Sequence, residues 1–211
     1  MTRFFSMNFK KVAGLALALL MLLPLHSQGS EQNIIVLGDS LSAAFGIDPR
    51  DGWVALLQKR LDERGHEYNV INASISGETT AGGLTRLPAL LRQHQPKIVI
   101  LALGANDGLR GLSLTKMRDN LKQMTELSRS QPASVLLIGM QLPPNYGPAY
   151  TRLFHSVYTE LANDAEIALV PFLLEDIGEN KALFQSDIVH PTAEAQGRIL
   201  KNVWTELEPL L

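Results

Sequence analysis

Ile34-Ile35-Val36-Leu37-Gly38-Asp39-Ser40-Leu41-Ser42 is the stretch on which the fold turns. It opens with four consecutive apolar residues, three of them β-branched, and shows no polar alternation. That is the pattern of a strand buried on both faces of a parallel sheet. Gly38 and Asp39 stop the run, and Ser40 follows within two residues. Open α/β sheets bind ligands at the ends of their strands. Ser40 therefore stands where a substrate would arrive, at what reads as a strand-to-helix turn.

Outward from this run, residues 68–72, 98–103 and 135–140 read as further strands, with a weaker fifth at 167–170. Helical spacing lies between them. Trp53, Leu56, Leu57 and Leu61 share one face, as do Leu114, Met117, Leu121, Met124 and Leu127. The last helix carries Ala195, Ile199, Val203 and Leu207 at four-residue steps. Strands alternating with helices imply βαβ crossovers and a sheet covered on both sides. The expected fold is α/β, a three-layer α/β/α sandwich around a five-stranded parallel sheet. A flavodoxin-like strand order is favoured over a six-stranded Rossmann order. Residues 73–80, 104–111 and 141–147 follow strands two, three and four, so these loops should open on the same sheet edge as Ser40.

The chain has 211 residues, 45% hydrophobic and 19% charged, which suits one well-buried core. Its N-terminus differs from the rest. Arg3, Lys10 and Lys11 precede a run over residues 12–23 with no charged side chain, too short to span a bilayer. Ser27 and Gly29 then provide small residues for cleavage before Ser30. Residues 1–29 are expected to be a secretory signal peptide and 30–211 a single domain. The mature chain keeps 16 Lys and Arg against 21 Asp and Glu, a net charge of −5. This gives no footprint for nucleic acid or anionic lipid. With no cysteine, disulfides, a thiolate nucleophile, Cys-ligated zinc and a lipidated cysteine are excluded. A periplasmic or secreted protein without a stable membrane anchor is expected, with a monomer favoured.

A serine hydroxyl is a weak nucleophile until a base takes its proton. Four histidines remain after residue 29. His66 falls in a charged connection, where a solvated side chain is expected, His94 in another connecting loop at the far edge of the sheet, and His155 lies beside Phe154 and Val157, where packing explains it. His190 differs, with Asp187 three residues before it and Pro191 immediately after. Proline turns His190 away from helical geometry. Asp187 can then reach its Nδ1–H, set the tautomer and stabilise the imidazolium. The same run could also be a simple helix cap. For an oxyanion, the candidate donors are the N–H groups of Ser40 and Gly77 and the side-chain amide of Asn106. Each alone is ordinary turn chemistry; together they fall where strands should end.

Gly38-Asp39-Ser40-Leu41-Ser42, Gly77 in Asn72-Ala73-Ser74-Ile75-Ser76-Gly77-Glu78-Thr79, Gly104-Ala105-Asn106-Asp107 and Asp187-Ile188-Val189-His190-Pro191 resemble, in order and spacing, the four blocks of the SGNH (GDSL) hydrolases. The likeness runs from about Asn33 to the C-terminus. Within that family it is similar to the exported bacterial branch with thioesterase, lysophospholipase and arylesterase activities. Leu87-Pro88-Ala89-Leu90-Leu91, Asn106-Asp107-Gly108-Leu109-Arg110-Gly111 and Leu142-Pro143-Pro144-Asn145-Tyr146-Gly147 match that branch as well. The resemblance implies Ser40 as nucleophile, His190 as base, Asp187 as its orienter, and Ser40, Gly77 and Asn106 as the oxyanion hole. One position departs: Ala105 stands where the family often has a second glycine, and would strain the turn if that position needs positive φ. The α/β-hydrolase elbow Gly-x-Ser-x-Gly is absent.

The expected activity is hydrolysis of carboxylic esters and thioesters of medium or long acyl chains, lysophospholipids included, with no metal or organic cofactor. Leu109, Leu142, Pro143 and Tyr146 are expected to wall the acyl groove. Alternatives are a carbohydrate O-acetyl esterase on the same scaffold, a flavodoxin-like phosphate-binding module without a Gly-rich loop, and a metallohydrolase using Asp39, Asp107, Asp187 and His190.

Overall fold

The computed structural model describes residues 32–211 together with the first two. The apolar run over residues 12–23 and the expected cleavage before Ser30 lie outside the described residues. Five strands form one parallel sheet: β1 (Gln32–Gly38), β2 (Tyr68–Asn72), β3 (Ile98–Ala102), β4 (Ser134–Ile138) and β5 (Ala168–Val170), in the order β2-β1-β3-β4-β5. This is the flavodoxin-like order. β1 pairs with both β2 and β3, with Ile34 opposite Val70 on one side and Ile98 on the other.

Because side chains alternate across a strand, each apolar run feeds two cores. Ile34, Val36, Ile98, Ile100, Leu136 and Ile138 face α1 (Trp53–Arg64) and α6 (Gln196–Leu207). Ile35, Leu37, Val99, Leu101, Val135 and Leu137 face α2 (Thr80–His94), α4 (Leu114–Ser130) and α5 (Pro148–Ala165). The four residues Ile34 to Leu37 are completely buried. At about 1.5–3 kcal/mol for each fully buried side chain, this strand anchors both layers.

Three local expectations need correction. No helix follows Ser40 directly: residues 40–46 form successive turns, with Ala43 N–H and Phe45 N–H donating to the Asp39 and Ser40 carbonyls, and α1 starts only at Trp53. His94 is the final residue of α2, which Gln95 closes in the left-handed conformation. His66 is half-buried, its ring tilted against Trp204, because the α1–β2 connection folds back toward α6. Helix α2 follows the second loop, a region where Gly82, Gly83 and Pro88 blur the helical pattern.

Candidate active site

The loops after β1, β3, β4 and β5, with the loop before α6, line one cleft of about 1240 Å³. Gly38, the last residue of β1, has no room for a side chain: a Cβ there would crowd Ser42 Oγ at 2.7 Å and Ser74 Oγ at 2.9 Å. The chain then turns sharply, and Ser40 lines the cleft.

The opposite lip is the loop before α6. Asp187 Oδ1 accepts the backbone N–H groups of Val189 (2.9 Å) and His190 (3.0 Å), so the carboxylate folds its own loop around itself. Its other oxygen, Oδ2, meets His190 Nδ1 at 2.7 Å. His190 Nε2 in turn meets Ser40 Oγ at 2.9 Å. With Nδ1 protonated toward Asp187, Nε2 is left to accept from the hydroxyl. The bonds from His190 N–H, His190 Nδ1–H and Val189 N–H hold the Asp187 carboxyl down at about 2. Sequence reasoning left a helix cap open for this run; the carboxylate instead binds its own loop and the imidazole.

Short helix α3 (Ala105–Leu109) places Asn106 beside the serine loop, where its Nδ2 donates to Asp39 Oδ2 at 3.3 Å. Asp39 Oδ1 accepts from Leu41 N–H at 3.0 Å. This carboxyl is buried and its pKa is raised to about 6; burial is the main cause, opposed by the Leu41 bond, the electrostatic influence of nearby His190 and the Asn106 bond. The strain feared at Ala105 does not arise, because the positive φ falls on Gly104, at 114°. Met117 Cε would lie 2.9 Å from a Cβ at Gly104, and Tyr158 still closer.

Gly77 has φ 79° and does not line the cleft. Arg110 ties it to the rest, donating to the Gly77 carbonyl at 2.9 Å and reaching Asn106 Oδ1 at 3.5 Å. Among the described residues, the N–H groups of Ser40 and Gly77 have no acceptor within the protein. Asp107 is committed elsewhere: buried, it accepts the Thr80 hydroxyl at 2.6 Å and the Thr80 N–H at 2.9 Å, bolting α3 to the start of α2. Among the described residues no three His, Asp or Glu side chains converge as metal ligands would.

Leu109, Leu142 and Pro143 line the cleft; Tyr146 does not. Its hydroxyl donates to the Leu109 carbonyl at 3.1 Å and its ring stacks on Tyr150, so it supports the wall from behind. The sequence reading missed Phe172, Leu174, Ile177 and Phe184, which also line the cleft. The segment after β5 opens on the same edge as the other loops, and that placement was the available signal. Arg110 and Asp39, the residues that hold Asn106, were also missed as such; neither belongs to a recognisable catalytic pairing.

Residues 36–198 match the model of the GDSL-like Lipase/Acylhydrolase family. The chain is 52% identical over 192 residues to Esterase TesA of Pseudomonas aeruginosa, covering 91% of this chain and 96% of that one. It is 38% identical over 206 residues to Thioesterase 1/protease 1/lysophospholipase L1 of Escherichia coli (strain K12), covering 97% and 98%. A crystal structure of TesA superposes with a TM-score of 0.84 at 53% identity, over 85% of this chain and all of that one. A serine, an imidazole and a carboxylate in hydrogen-bonded sequence at the carboxyl edge of a β2-β1-β3-β4-β5 sheet agree with these matches, and the chain belongs to the GDSL-like lipase/acylhydrolase family.

Proposed function

We propose that the protein hydrolyses carboxylic esters and thioesters of medium- and long-chain acyl groups through an acyl-enzyme on Ser40. The observation that carries this reading is the unbroken line from Asp187 Oδ2 through His190 to Ser40 Oγ. His190 Nε2 takes the hydroxyl proton as Oγ bonds to the carbonyl carbon, and the carbonyl electron pair moves onto oxygen. Ser40 N–H, Gly77 N–H and the Asn106 amide stabilise that oxyanion. The tetrahedral adduct collapses, His190 returns its proton to the leaving alcohol or thiol, and water repeats the sequence to release the acid.

The apolar wall of Leu109, Leu142 and Pro143 supports a chain-bearing substrate over an acetyl group. The names of the relatives, an esterase and a thioesterase/lysophospholipase, support the same substrate class. The signal-like N-terminus supports export to the periplasm or the medium, and among the described residues no helix is long and apolar enough to cross a membrane.

The test is a p-nitrophenyl ester series from C2 to C12, run beside a Ser40→Ala control. Turnover rising toward C8–C12 and lost in the control is expected. Activity confined to C2 would favour a sugar O-acetyl esterase, and turnover surviving in Ser40→Ala would remove the acyl-enzyme.

A further inference from the structure

Ile188 occupies a backbone conformation that its side chain disfavours. Its φ is 59°, in the left-handed region, where a β-branched residue is a genuine outlier. Among the described residues, the other non-glycine positions with positive φ have local reasons. Gln95 and Glu166 close α2 and α5, Asp176 is short and polar, and Ala44 is small and buried. Ile188 has no such reason, and the turn around Asp187 could be made at lower cost by glycine or asparagine.

Packing within the protein does not offset that cost. Ile188 is 62% exposed and its neighbour Val189 is 46% exposed. Both line the cleft that holds Ser40 and His190, as do the apolar side chains Phe172, Leu174 and Ile177 of the post-β5 segment. A strained, exposed, apolar residue two positions from His190 is the kind of backbone outlier that collects at ligand-binding sites. Phe45 forms the contrast. Its ring lies 4.4 Å from that of His190, yet it does not line the cleft, so the apolar lip is continuous with the cleft only on the Ile188 side.

We infer that Ile188 is a chain-length specificity residue of this enzyme, covering the acyl chain of bound substrate where the chain passes the His190 loop. This rests on the acyl-ester reading above. The strained turn presents the sec-butyl group to the cleft, and a long acyl chain buries it while a short one leaves it in water. The contact serves ground state and transition state alike, so its removal raises KM for long chains.

The test compares Ile188→Asn, Ile188→Gly and Ile188→Val on p-nitrophenyl butyrate and p-nitrophenyl laurate, with thermal melting and a pH–rate profile for each. Asparagine and glycine both suit the left-handed turn. In these two, the C12/C4 ratio of kcat/KM should fall roughly tenfold, mostly through KM, with Tm level or higher and the pH profile unmoved. Valine, which keeps the branched apolar contact, should stay near the parent ratio. An unchanged C12/C4 ratio in both polar and glycine variants would overturn the assignment, as would a fall appearing only alongside a lowered Tm or a displaced pH profile. A loss that follows the size of the leaving alcohol at constant acyl length would also overturn it. Loss of the acyl-enzyme reading itself has a separate signature: an active Ser40→Ala protein.

Discussion

His190 Nε2 lies 2.9 Å from Ser40 Oγ, although the two residues are 150 positions apart in the chain. A single side chain ties the two segments together. Gln185 Nε2 donates to the Phe45 carbonyl at 2.8 Å on the serine side and to the Pro191 carbonyl at 3.1 Å on the histidine side. The contact between them is thus held by backbone positions on either side of it. Neither side chain has to provide that restraint itself.

Replacing Asp187 with Asn should lower kcat by about 10³–10⁴-fold, because the amide can present N–H to Nδ1 and favour the wrong tautomer. Acid titration gives a second readout. The Asp187 carboxyl sits at about 2 in the folded chain against an ordinary value of 3.8, so the unfolded state binds its proton first as pH falls. Its stabilisation is complete above the ordinary value and disappears as pH drops toward 2. The wild-type protein should therefore lose stability more steeply than Asp187→Asn between pH 4 and 2, with the two unfolding curves converging at the acid end. Parallel curves would contradict this.

Asp39 should behave with the opposite sign. Its folded value of about 6 exceeds 3.8, so the folded state binds the proton more tightly and stability declines as pH rises from about 4 through about 6. Asp39→Asn lacks that decline. Urea unfolding at pH 4.5 and 7.5 should show the gap between the two proteins moving in the variant's favour by about 2 kcal/mol. Catalysis should move the other way. Leu41 N–H and Asn106 Nδ2 bond to different oxygens of Asp39, and an amide puts an NH2 donor in place of one of them, so kcat on a p-nitrophenyl ester should fall about 10- to 100-fold.

Arg110 grips the two candidate oxyanion donors from outside the cleft, through the Gly77 carbonyl and Asn106 Oδ1. Arg110→Ala should lower kcat about tenfold while KM shifts little, since the donors matter most when charge develops on oxygen. Tm should hardly change, because an exposed hydrogen bond contributes at most about 1 kcal/mol. Lysine should recover part of the rate. Equal kinetics for the Ala variant and the parent would mean that Gly77 and Asn106 hold their places unaided.

The sheet was legible in the sequence because burial on both faces demands unbroken apolar runs, and Ile34 to Leu37, Ile98 to Leu101 and Val135 to Ile138 carry no competing signal. The line of Asp187, His190 and Ser40 was legible because Ser40 follows the first run within two residues and because Asp187 and His190 are close enough to meet within one loop. Other features depended on the assembled fold. Tyr146 looked like a wall residue, but its phenol turns to the Leu109 carbonyl, and the sequence contains nothing local to specify that partner. Phe172, Leu174 and Ile177 reach the cleft only because β5 lies parallel to β4 at the sheet edge. Asp39 acquires its raised pKa from the burial that the packed loops impose, and Arg110 its hold on Gly77 from a neighbour 33 residues away. Chain periodicity specifies which surfaces must leave water; the direction of each polar side chain is decided later, by whichever donor or acceptor the packed loops bring within reach.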